Sequence, residues 1–144
     1  MSRGLICRSR LSKDLINMDS HTAKKLRDLE FGRFAEDKAA EYYISKGYLI
    51  RERNWRHKKI EIDIIAQLGN EIIFIEVKAR SGRNMAPIDA VNFSKRRRMV
   101  YGADIYLRRL NGSYEYRYDI FALEGDMSNY KVEIYENAFY SPLM

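Results

Sequence analysis

Cysteine and histidine are scarce in this sequence: Cys7 is the one thiol, and His21 and His57 are the two imidazoles. No intrachain disulfide can close, and neither a cysteine-based zinc site nor a histidine-rich metal cluster can be assembled. A reducing compartment is the expectation. Two prolines and eight glycines exclude collagen-like and low-complexity character, and no segment repeats at the periods of solenoid proteins. Long apolar runs are missing too. Nothing approaches the roughly 18 consecutive apolar residues of a membrane-spanning helix. At the N-terminus, Leu5-Ile6-Cys7 is broken at once by Arg8, too soon for a secretory leader. The chain is therefore expected to be soluble and cytoplasmic, with no membrane partner.

What is present suffices for one core. With 46% hydrophobic and 12% aromatic residues among 144, a single domain of this size buries roughly two thirds of its unfolded surface. Residues 1 to 25 are polar, basic and without a sustained period, which predicts a flexible basic arm ahead of one domain at residues 26 to 144; Met18 could serve as an internal start. The net charge of +6 is unevenly spread. Residues 46 to 59 carry six Lys/Arg against one Glu, and residues 78 to 98 carry seven against one Asp. Between them, residues 60 to 77 hold four acids and no base. Basic flanks of this kind suit a polyanion such as nucleic acid, whose phosphates release counterions on contact; a solvated charged surface gives the same pattern.

Leu26, Leu29, Phe31, Phe34, Ala35, Ala39, Tyr42 and Tyr43 recur at helical spacing up to Ser45, and Gly47 supplies a stop. Tyr48-Leu49-Ile50 reads as a short strand leading into a basic loop, Arg51 to Lys59. Ile60 to Ala66 and Ile72 to Lys78, joined by Gln67-Leu68-Gly69-Asn70, read as an antiparallel hairpin. Ala86 to Leu110 reads as a helix, with Pro87 suited to its first turn, Ile88, Val91, Met99, Ala103, Tyr106 and Leu110 near one stripe, and Gly102 as a threat to its continuity. Tyr114 to Leu123 and Val132 to Tyr135 read as strands. The order helix, three strands, helix, two strands predicts an α/β fold: a mixed sheet flanked by helices.

Chemistry concentrates in the hairpin. Residues two apart in a strand face the same side, so Glu61 and Asp63 share a face, as do Glu76 and Lys78. Strand partners have numbers with a constant sum, and the turn sets that sum between 137 and 139. With 137, Glu61 lies opposite Glu76; with 139, Asp63 does. Either odd register brings Asp63 within roughly 5 to 8 Å of Glu76. Facing carboxylates repel unless a positive charge lies between them, and the surrounding Ile, Phe and Val side chains make solvation of both acids doubtful. Mg²⁺, or Mn²⁺, takes one or two carboxylates with carbonyl, water and phosphate oxygens. Lys78 on the same side could stabilise phosphate charge or orient the attacking water. Glu61 is either a second ligand or a partner for a basic side chain.

The order Glu36, Asp63, Glu76-Val77-Lys78 resembles the PD-(D/E)xK nuclease superfamily, in particular its Holliday junction resolvase-like and restriction endonuclease-like branches. More closely, the chain is similar to the bacterial YraN-type family. The strings that carry the likeness are Gly32-Arg33-Phe34-Ala35-Glu36, Gly47-Tyr48, Asn54-Trp55-Arg56, Glu61-Ile62-Asp63, Phe74-Ile75-Glu76-Val77-Lys78-Ala79-Arg80, Lys95 and Asn137-Ala138-Phe139. One departure stands beside the site: Ile60 occupies the place where the family usually has Gly. The resemblance implies a restriction endonuclease-like fold in which Asp63 and Glu76 bind a divalent metal, with the Val77 carbonyl as a third donor and Glu36 as an accessory ligand. It gives Lys78 the water or the phosphorus-centred charge. From the residues alone, Glu36 could equally be an acid favoured by a helix N-terminus. Lys95 falls within an apolar stripe and can reach a phosphate by extending its stem.

Arg96, Arg97 and Arg98 fan around the second helix, so one or two can touch a nucleic-acid backbone. Arg56, Lys58 and Arg80 are further candidates for that contact. Trp55 is expected in the core, with stacking on an unpaired base as its alternative; Tyr114, Tyr116 and Tyr118 are expected under a helix, and His57 receives no role. The functional expectation is a Mg²⁺-dependent nuclease acting on DNA, with branched or structured DNA as a candidate substrate. Two alternatives remain: a nucleic-acid-binding module of the same fold without turnover, and an adaptor whose basic face meets an acidic protein. Junction resolution would require a homodimer with two sites.

Overall fold

A computed structural model describes residues 18 to 81 and 92 to 140. Residues 1 to 17, which hold most of the expected basic arm, lie outside the described residues, as do Pro87, Ile88 and Val91. By internal contacts the chain separates into two units, Met1–Phe31 and Gly32–Met144, and each is described by itself. The boundary falls within helix α1, Ser20–Ser45. In the first unit, Asp19 caps this helix by accepting from the Thr22 amide at 2.7 Å and the Thr22 hydroxyl at 2.9 Å. The helix thus begins ahead of Leu26, where regular spacing first becomes visible.

The second unit holds the remainder of α1, then β1 (Leu49–His57), β2 (Ile60–Leu68), β3 (Glu71–Arg80), α2 (Phe93–Arg108), β4 (Glu115–Gly125) and β5 (Tyr130–Tyr135). The five strands form one sheet in sequence order. Only β3 and β4 run parallel; the other pairs are antiparallel. This is the mixed α/β sheet expected from the element order. The parallel step requires a crossover connection, which α2 supplies.

The two helices cover opposite faces. Tyr42 of α1 meets Phe121 and Tyr43 bonds Asp119, both on one face of β4. On the other face, Tyr118 meets Phe74, whose ring packs edge-on against Tyr106 of α2. Ile62, Ile65, Ile72, Phe74, Met99, Ala103, Tyr106, Tyr118 and Ile120 form the core on that side. Of the three tyrosines expected under a helix, Tyr118 is buried and Tyr114 packs against the core from outside the strand, while Tyr116 is exposed.

Two expectations are corrected. Arg51 to Lys59 is no loop: β1 extends to His57 as an edge strand. Nor does Gly102 interrupt α2, which runs unbroken from Phe93 with Asn92 as its N-cap. Gly102 is there for proximity, because a Cβ would lie 2.7 Å from Ile60 Cγ2 and 3.3 Å from both Ile62 and Trp55. At the far end of α1, Gly47 adopts φ +90°, as the helix stop requires.

Candidate active site

The β2–β3 register runs from Ile64↔Ile75 to Leu68↔Glu71, a constant sum of 139. Of the two odd registers, this is the one that sets Asp63 opposite Glu76. The ladder stops one step short of them, and on the β1 side the partners pass from Arg53↔Ile64 to Trp55↔Ile62, skipping Asn54 and Asp63. Asn54 has φ 51°, a left-handed conformation that Asn tolerates. Ile62 and Ile65, three apart, both enter the core under α2, so the strand changes face at Asp63. Freed from the ladder, Asp63 turns its carboxylate between the strands and accepts the Val77 amide at 2.8 Å. In an extended strand the carbonyl of a residue faces the same neighbour as its amide, so Val77 offers an oxygen toward β2 as well.

Glu76 is 2% exposed and lies on the α2 side, in register with Ile120. Lys78 Nζ stands 3.4 Å from its Oε1, and Lys95 Nζ reaches in from α2 to 3.5 Å from Oε2. The buried Oε2 accepts no hydrogen bond. Burial and the neighbouring Asp63 charge push Glu76 up to about 7 despite the two lysines. Asp63 is also raised, chiefly by burial, against the pull of the Val77 amide and Lys95. Burial and mutual repulsion hold the two adjacent carboxylates toward protonation even with two ammonium groups beside Glu76.

Glu36 lies in the interior of α1, which removes the helix N-terminus as its explanation. Burial and the Asp63 charge raise its pKa, and Asn54 Nδ2 donates to it at 3.5 Å. Glu61 is half-buried and pairs with Arg56 at 3.4 Å, and its charge also bears on Glu36 and Asp63. Among the described residues, no three Asp, Glu, His or Cys side chains converge tightly enough to hold one ion. A divalent ion would therefore be held by Asp63 and Glu76, with the Val77 carbonyl as a third donor, and Glu36 acts here as an electrostatic neighbour. The donor set fits a hard cation that keeps several coordination positions for water or phosphate; Oε2 accepts no hydrogen bond and has the Lys95 ammonium 3.5 Å away.

The basic candidates are dispersed. Arg56, next to the last residue of β1, pairs with Glu61, Lys58 is exposed in the β1–β2 turn with φ 54°, and Arg80 is the last residue of β3. Arg96 packs over the Phe139 ring at 5.5 Å, while Arg97 and Arg98 are exposed. Trp55 packs edge-on against Tyr106, which supports its core placement. His57 stacks on Trp55 and its Nδ1 lies 3.2 Å from Arg109. Sequence reasoning noted Asn54 within a matching string but gave it no role; its side chain serves Glu36. The same reasoning missed Asp119, fully buried and held by Arg117 at 3.0 Å, Tyr43 at 2.8 Å and the Asn137 amide at 2.9 Å. A lone acid within the apolar run Tyr118 to Leu123 was its one visible signal.

The family model for the uncharacterised protein family UPF0102 matches residues 35 to 123, a span that includes Glu36, Asp63, Glu76, Lys78 and Lys95. The chain belongs to UPF0102. A UPF0102 protein of Phocaeicola vulgatus is 44% identical over 115 residues, covering 79% of this chain and 95% of the relative. One from Bacteroides thetaiotaomicron is 39% identical over the same shares. The likeness extends to Clostridium botulinum, at 39% identity over 76% of this chain and 94% of the relative. This UPF0102 protein thus matches its relatives over nearly their whole length. Among its described residues, no helix is long and apolar enough to cross a membrane.

Proposed function

We propose that this UPF0102 protein is a metal-dependent phosphodiesterase acting on DNA, built on the restriction endonuclease-like plan. The observation that carries the reading is Glu76, a buried acid with an unsatisfied oxygen, set beside Asp63 and between two lysines. Asp63 and Glu76 would bind Mg²⁺ or Mn²⁺ with the Val77 carbonyl. When bound, the ion supplies Lewis-acid stabilisation of the phosphate and lowers the pKa of a coordinated water. Asp63 is oriented for ligation by the Val77 amide, which occupies one of its oxygens. Lys78, on the same side of β3 as Glu76, holds the attacking water or offsets charge building on the phosphate oxygens. Lys95 reaches the same carboxylate from α2 and can move onto a phosphate once a cation neutralises Glu76. Water oxygen attacks phosphorus, the bond to the leaving oxygen breaks, and the proton departs to solvent or to that oxygen.

A second reading has its own support. The two lysines already counter Glu76, and no third ligating side chain converges among the described residues, as in a nucleic-acid-binding module without turnover. Cleavage assays with Mg²⁺ or Mn²⁺ on single-stranded, flapped and four-way DNA separate the two. Asp63→Asn and Lys78→Ala are each expected to lower cleavage by about 10²-fold or more while salt-sensitive binding persists. Wild-type cleavage in both variants overturns the catalytic assignment. Absence of cleavage with either metal on every substrate favours the binding module.

A further inference from the structure

The outward side of α2 carries features that the carboxylate site does not use. Phe93, Arg97 and Tyr101 are spaced by four and so align along one line of the helix. Phe93 is 65% exposed and Tyr101 58%, and the Arg97 guanidinium lies over the Phe93 ring at 5.8 Å. Between this line and the start of β2 runs an open groove of about 340 Å³, lined by Ile60, Phe93, Ser94, Arg97, Arg98 and Tyr101. Among the described residues the lining has two rings, two guanidinium groups and no carboxylate. The turn leading into Ile60 adds the exposed Lys58 and Lys59.

Rings that stack and cations that take phosphate are the complement of an unpaired nucleotide, whose base presents a π-face and whose backbone is anionic. A duplex matches less well, because its bases are already stacked and offer only their edges. An acidic peptide would satisfy the guanidinium groups and leave the rings nothing planar to meet. The location is apt. Lys95, on the same helix, turns inward to Glu76, so a strand in the groove lies about one helix diameter, roughly 10 Å, from the carboxylates.

Resting on the reading of Asp63 and Glu76 as a nuclease centre, we infer that this groove stacks an unpaired nucleotide beside the scissile phosphodiester, making the substrate class DNA with a single-stranded segment. The test is fluorescence anisotropy on the full chain in EDTA, which stops turnover, using a single strand of about 20 nucleotides and its blunt duplex. A 2-aminopurine within the strand reports stacking. Wild-type protein is expected to prefer the single strand and to change the 2-aminopurine emission. The double variant Phe93→Ala with Tyr101→Ala is expected to weaken single-strand binding by about tenfold or more and to abolish the emission change, with duplex affinity within about twofold. Phe93→Tyr and Tyr101→Phe keep the rings and should match wild type. Equal loss on both DNAs, no loss on either, or equal loss in the ring-retaining variants overturns the assignment; so does displacement by polyglutamate where single-stranded DNA fails to compete. A ring-dependent strand preference without metal-dependent cleavage leaves the groove standing and removes the nuclease. Metal-dependent cleavage with binding indifferent to both rings does the reverse.

Discussion

Glu76 binds its proton more tightly in the folded protein than in the unfolded chain, because burial and Asp63 raise it from 4.5 to about 7. For an acid, a raised folded value means that its protonated form favours folding. Its contribution is fully present below about pH 4.5 and is lost as pH rises through about 7. Asp63 and Glu36 are raised in the same direction. In EDTA, Glu76→Gln is expected to unfold at higher urea than wild type at pH 8 and at nearly the same urea at pH 4.5. Divalent metal should reverse the wild-type trend, because binding requires the deprotonated carboxylates. Urea midpoints across this pH range, with and without Mg²⁺, check both signs. A variant less stable than wild type at pH 8 in EDTA would show that the two lysines stabilise the charge more than burial and Asp63 oppose it. The proximity of Asp63 and Glu76 was legible in the hairpin, since only parity and turn length were needed. The change of face at Asp63 was not, because it depends on the left-handed Asn54 on the neighbouring strand.

β1 and α2 show why some elements escape a reading of local pattern. On β1, Arg51 and Trp55 both reach Tyr106 of α2, whereas Arg53 between them pairs with Asp37 of α1 at 2.7 Å. Alternation is thereby broken, and a strand whose bases serve both faces looks like a polar loop. In α2, a helix-weakening Gly102 is retained because Ile60 occupies the space that its Cβ would need. Ile60 is thus matched by a side-chain-free helix position facing it. Gly102→Ala gains up to about 1 kcal/mol of helix propensity and forces an overpacked contact costing about 1–3 kcal/mol, so a net loss of stability is expected. Ile60→Ala alone should destabilise by removing the half-buried methyl groups that pack toward Gly102, and the double variant should be more stable than the sum of the single effects. Denaturant unfolding in a double-mutant cycle measures that coupling; strict additivity would show that the two positions do not press on each other.

For the whole molecule, the element order predicted the mixed sheet because apolar strands and a crossover helix leave few ways to bury their faces. The acidic core segment between basic flanks likewise becomes a spatial arrangement: two carboxylates beside the sheet, with basic residues at the β1–β2 turn and on α2. The Arg96 to Arg98 run illustrates what charge patterning omits. Arg96 spends its guanidinium on the Phe139 ring, leaving Arg97 and Arg98 outward. If these two contact phosphates, each neutralised phosphate contributes about 0.7 to the slope of log affinity against log salt for a single strand. Arg97→Ser with Arg98→Ser is therefore expected to flatten that slope by about 1.4, and Arg96→Ser by much less. Titrations of single-stranded DNA in EDTA between about 50 and 200 mM salt measure the difference. A slope unchanged in the double variant would move the phosphate contacts off α2 and onto the turn carrying Lys58 and Lys59.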